Sequence, residues 1–173
     1  MILVNVLLFQ CLWFAAVLGA AKGLWWPALP ALLVLLAWCW KFSIRFRADL
    51  GLMTVAAIIG IVIETVFAAS GWIDYAAGLP SDRLAPAWIV FMWCGFGLTI
   101  NHSLWPLVSR TWLAAVSGAV FGPIAYFGAA RLGAVDSFGL PNAQMVLLLA
   151  VAWAVSLAFL SALAAYWRRA EKS

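Results

Sequence analysis

A carboxylate stranded in an apolar run is the first residue here whose type suggests chemistry. Glu64 lies within residues 50–71, a stretch otherwise dominated by Leu, Ile, Val, Ala and Gly. An ionisable group in such a segment is a functional candidate by default, because hydrocarbon solvates it poorly. Its helical neighbours Ala57, Gly60, Ala68 and Gly71 are small and spaced three or four apart. Small residues at that spacing mark a face that packs closely on other helices, so Glu64 is expected to point into a helix bundle. Tyr126 falls at a matching height on a second small-residue face formed by Ala114, Gly118, Gly122 and Ala129. Arg131 follows, with a side chain long enough to reach inward. Glu64, Tyr126 and Arg131 are therefore expected to line an outward-opening cavity. The competing reading is purely structural, either one interhelical hydrogen bond from a buried carboxyl or a Glu–Arg pair.

A second polar layer is expected at the other end of the bundle. Asn101, His102 and Ser103 interrupt residues 86–107, and Asn5, Gln10, Ser117 and Ser156 fall at comparable depth. His102, the single histidine, suits proton transfer because imidazole titrates near neutral pH. A histidine satisfied by an interhelical bond is the plainer reading. His102 and Ser103 do not form a nucleophile–base pair, since adjacent helical side chains diverge by about 100°. Metal binding is not expected, with one histidine and no carboxylate near it. Cys11, Cys39 and Cys94 each lie in apolar runs without CxxC spacing, as buried free thiols do. No cofactor is implied. Glu64 and His102 differ in height by more than roughly 10 Å at 1.5 Å per residue, which argues against a shared reacting centre.

The elements that must position these groups are membrane spans. Of 173 residues, 68% are hydrophobic and 9% charged, against about 25% charged in soluble domains. So short a chain has too little interior to hide that much apolar surface. Six stretches reach the roughly 20 residues needed to cross a bilayer: 2–21, 24–42, 50–71, 86–107, 111–130 and 143–167. The expected fold is thus all-α, a single integral domain of six transmembrane helices. Residues 1–9 lack Lys and Arg, so the first stretch reads as a retained span and not as a secretory signal.

Seven basic residues (Lys41, Arg45, Arg47, Arg110, Arg168, Arg169 and Lys172) fall on the side of the termini, and Lys22, Arg83 and Arg131 on the other. The positive-inside rule puts both termini in the cytoplasm. Nine of the twelve tryptophans lie near span ends, where an aromatic belt belongs. The two longer connections, 72–85 and 131–142, lie outside, and the first suits the headgroup layer. The Gly118–Gly122 GxxxG pair serves close packing within a subunit or in a homodimer. No basic face suits nucleic acid.

Several segments together resemble one family. They are Asn5 to Gln10 with Trp13-Phe14, the run Leu98-Thr99-Ile100-Asn101-His102-Ser103-Leu104, Gly122-Pro123-Ile124-Ala125-Tyr126, and Ala129 to Ala134. Together they are similar to DUF2878, a bacterial inner-membrane family of unknown function, over nearly the whole chain. The resemblance implies a bacterial inner-membrane location and assigns no activity or catalytic residue. Three functions stay open. The first is binding of a lipid-like or amphipathic small molecule near Glu64. The second is an intramembrane enzyme of lipid modification using His102 or Glu64. The third is a scaffold for a peripheral lipid-modifying enzyme, docked through Lys41, Arg45 and Arg47. Membrane lipid is the expected partner throughout.

Overall fold

The computed structural model describes residues 2–170. Lys172, counted above among the cytoplasmic bases, lies outside the described residues. The chain runs α1 (Ile2–Ala20), α2 (Ala28–Phe42), α3 (Phe46–Ala69), β1 (Ile73–Tyr75), α4 (Ala87–Gly97), α5 (Trp105–Val108), α6 (Thr111–Arg131), β2 (Val135–Phe138) and α7 (Asn142–Ala170). Four helices, α1, α3, α6 and α7, are long and apolar enough to cross a membrane. The helices α2 and α4 are apolar but shorter, at 15 and 11 residues. At 1.5 Å per residue α4 covers about 16 Å, roughly half of a bilayer's hydrocarbon core.

The stretch 86–107, expected as one continuous helix, is broken. The helix ends at Gly97, residues 98–104 form a series of turns, and a single helical turn, α5, follows. Gly97 sits against the backbone of α3: a Cβ there would meet Met53 Cα at 2.6 Å and Leu52 O at 2.7 Å. That closeness leaves no space for a larger residue. Thr99 Oγ1 then donates back to Phe96 O at 2.6 Å, and the N–H groups of His102 and Leu104 both bond Thr99 O at 3.0 Å. Side-chain competition for backbone carbonyls of this kind is what turns a helix into a turn. Buried non-helical backbone must find internal partners. Leu98 O has two, Asn5 Nδ2 at 3.4 Å and Cys39 Sγ at 3.9 Å.

The two connections expected outside are joined. α3 and α6 end alike, with Gly71 at φ 67° and Gly133 at φ 86°. A following N–H reaches back in each case, Trp72 to Phe67 O and Ala134 to Ala129 O, both at 3.0 Å. This is the left-handed glycine cap that β-carbons resist. Each cap feeds a short strand, and β1 pairs antiparallel with β2 in the register Ile73↔Phe138, Asp74↔Ser137, Tyr75↔Val135. The 72–85 connection is therefore half of a ribbon. Ile73 and Tyr75 are buried and Asp74 exposed, as strand alternation requires.

In the bundle, α6 packs on α7, α3 on α4, α1 on α2 and α4, and α7 on α3. The GxxxG pair faces α7: a Cβ on Gly118 would lie 2.7 Å from the Trp153 carbonyl carbon, and one on Gly122 2.5 Å from Trp153 Cγ. Its use is thus internal to the chain.

Candidate functional site

Helix α3 buries one stripe, Asp49, Leu52, Ala56, Gly60, Glu64 and Phe67. The spacing of three and four is that of one helical face. Two carboxylates on that face, fifteen positions and about 22 Å apart, organise two polar centres.

Glu64 is fully buried. Gly60, one turn earlier, lies flat against the Trp93 ring, and no Cβ fits there. α4 therefore comes close enough for Trp93 Nε1 to donate to Glu64 Oε1 at 2.8 Å. Tyr126 of α6 donates its hydroxyl to the same oxygen, and Tyr75 of β1 donates to Oε2. Three neutral donors from three elements thus converge on one carboxyl. Arg131, expected beside it, is exposed at the end of α6 and belongs to no hydrogen bond of this cluster. Tyr75 escapes sequence reasoning because it lies in a connection. The apolar–polar–apolar order of Ile73, Asp74 and Tyr75 is the signal that finds it.

In front of this cluster a cavity of about 550 Å³ runs between α1 and α6. Phe9 and Trp13 form one wall, Gly122 and Ala125 the other, and Met92 and Trp153 contribute to the lining. Tyr75, Tyr126 and Trp93 line it, whereas Glu64 stands behind them and is not among the lining residues. Phe121 and Ile124, also at the cavity, are 61% and 60% exposed, so its rim is apolar and open sideways. Toward the opposite end the lining turns hydroxylic with Thr99, Ser103 and Ser117, and exposed Gln10 joins it.

The second centre is built on Asp49. Its Oδ1 accepts from Asn101 Nδ2 at 2.9 Å; its Oδ2 lies 2.9 Å from His102 Nε2 and accepts from Ser43 Oγ at 2.5 Å. The expectation that no carboxylate stands near His102 is therefore overturned. Asp49 lies in the first turn of α3, which starts at Phe46 and not at residue 50, so a residue assigned to the connecting loop is in fact buried in the bundle. Behind it, Arg168 donates from Nε to Asn101 Oδ1 at 2.9 Å and from Nη2 to Asn101 O at 2.8 Å, with its guanidinium 3.6 Å from the Trp105 ring centroid. Trp38 meets the His102 ring edge-on. Cys39 Sγ completes the group: a thiol, a carboxylate oxygen and an imidazole nitrogen all lie within 4.8 Å of one another.

The other residues of the expected lower layer are placed separately. Asn5 Oδ1 accepts from Ser103 Oγ at 2.6 Å and from Ser103 N at 3.3 Å. Ser156 bonds Ala152 O of its own helix at 2.7 Å. The lower layer is thus two adjoining networks, Asp49–Asn101–His102 and Asn5–Ser103.

Among known proteins, a family model described as a protein of unknown function, DUF2878, matches residues 2–159. No curated protein and no solved structure matches the chain.

Proposed function

The chain belongs to the DUF2878 family, and on that premise we propose that it is an integral membrane protein that holds a lipid-like or amphipathic molecule in the cavity between α1 and α6. In this reading the chain crosses six times, with α2 and the broken α4–α5 unit as the shorter crossings. Both termini lie in the cytoplasm of a bacterial cell, and the membrane is the inner one. Basic residues at one end of the bundle favour that orientation.

The observation that carries the binding reading is the cavity's shape and wall. Its volume of about 550 Å³ suits a small-molecule site. Along α6 its lining extends from Ser117 to Ala129, about 18 Å at 1.5 Å per residue. That exceeds half of a ~30 Å hydrocarbon core, the depth one acyl chain occupies. Aliphatic and aromatic walls take the chain, and hydroxyls at the two ends take polar groups. Glu64 acts at one remove. By accepting from Tyr75, Tyr126 and Trp93 it fixes the side chains that meet the ligand. An enzyme using Glu64 or His102 is less well supported, since neither residue lines the cavity.

Gly128 offers a direct test. It lines the cavity, and a Cβ there meets nothing nearer than Trp13 Cη2 at 4.0 Å. Gly128→Phe is expected to fill the space while the protein stays folded. Mass spectrometry of protein purified in mild detergent should show an enriched lipid or amphiphile in the wild type, lost in Gly128→Phe. A wild type carrying only bulk lipid, or an equally loaded variant, overturns the reading. A scaffold predicts instead that Gly128→Phe is silent and that neutralising Lys41, Arg45 and Arg47 breaks an association.

A further inference from the structure

Independently of the cavity, we propose that Cys39, Asp49 and His102 form a binding site for a divalent zinc ion. The three come from separate elements: the last turn of α2, the first turn of α3 and the turns after α4. Their donor atoms nevertheless lie within 4.8 Å of one another. A tetrahedral zinc with one sulfur, one nitrogen and one oxygen ligand sets edges of roughly 3.3–3.6 Å between donors. Asp49 Oδ2 and His102 Nε2, now 2.9 Å apart, need to part by only a few tenths of an ångström. Mixed sulfur, nitrogen and oxygen donors favour zinc over the hard cations that prefer all-oxygen shells.

The surroundings supply what a metal ligand set needs. Asn101 Nδ2 holds Asp49 Oδ1 and leaves Oδ2 toward the histidine, while Ser43 Oγ meets Oδ2 from another side. Such outer hydrogen bonds orient a ligating carboxylate. Trp38 packs edge-on against the imidazole. Charge balances too: a thiolate and a carboxylate together neutralise the ion, so nearby Arg168 faces a neutral centre. On binding, the Cys39 thiol gives its proton to solvent. His102 ligates as the neutral imidazole, through Nε2 with its proton on Nδ1. The His102 side chain is 12% exposed and that of Asp49 fully buried, so ions reach the group past His102. Three protein ligands leave a fourth position for water.

The test uses full-length protein with its purification tag removed, because polyhistidine binds zinc. Elemental analysis after equilibration with Zn²⁺ and desalting should find ~1 zinc per chain. Cys39→Ala and Asp49→Asn change little volume and should each lose it. Chelation should lower the wild type's Tm by about 4 °C or more and leave Tm unchanged in those variants. Co²⁺ added to the metal-free wild type should give a thiolate-to-cobalt charge-transfer absorption that Cys39→Ala abolishes. This readout does not depend on Asp49 or His102 variants folding. No stoichiometric zinc and no such band in the wild type overturns the proposal. So does zinc retained at full occupancy in Cys39→Ala.

Discussion

Glu64 and Asp49 occupy one face of one helix, about 22 Å apart, yet the chain treats them differently. Glu64 is enclosed by three neutral donors, each from a different element, and has no exposure. Asp49 is enclosed by Asn101, Ser43 and an imidazole, with the Arg168 guanidinium one residue further out. Desolvation of a carboxyl group is costly in both places, and each place offsets it by its own means. At Glu64 the means is complete hydrogen bonding in a dry interior. At Asp49 it is a mixture of hydrogen bonds and the nearby Arg168 guanidinium, at a margin where His102 still touches the surface. The first arrangement suits a fixed wall. The second suits exchange of protons or ions.

The comparison makes ranked predictions. The largest concerns truncation. Glu64→Ala strands three buried donors and is expected to cost about 3–5 kcal/mol, whereas Asp49→Ala is expected to cost about 2–3 kcal/mol because water can reach the part-exposed partners. Thermal unfolding of the two variants in one detergent ranks them, and the reverse order would break the contrast. The next concerns sharing. Tyr75→Phe and Tyr126→Phe should each cost about 1–2 kcal/mol, with a coupling of about 1 kcal/mol in the double mutant because both bind one carboxyl. Strict additivity would mean that they do not share it. The smallest separates shape from charge. Glu64→Gln keeps an acceptor for rotatable hydroxyls and should cost under about 0.5 kcal/mol. Asp49→Asn removes the charge facing His102 and should cost about 1 kcal/mol. Equal costs would show that charge matters no more at one end than at the other.

Much of this was legible from residue order. Span-length apolar runs and small-residue faces locate α1, α3, α6 and α7, and they set Glu64 and Tyr126 at one height. What was not legible depends on chain ends and breaks. Asp49 reads as loop because Arg45 and Arg47 flank it, although the Asp49–Leu52–Ala56–Gly60 spacing continues the buried stripe. Hydropathy is nearly blind to the break after Gly97, since Leu98 and Ile100 are as apolar as any helix residue. Only the contact of Gly97 with α3 and the side chains of Thr99, Asn101 and His102 decide it. The alternation of Ile73, Asp74 and Tyr75 marks a strand locally, but its partner lies some sixty positions later, and no local pattern encodes that pairing.

The small ribbon has a mechanical consequence. It stitches the end of α3 to the end of α6, and α6 then extends about 31 Å away from that stitch. Tyr75 stands on one strand of that stitch and Tyr126 on the helix that leads into the other, while α7 and α5 brace α6 toward its Thr111 end, so the two tyrosines cannot part without unzipping the ladder between them.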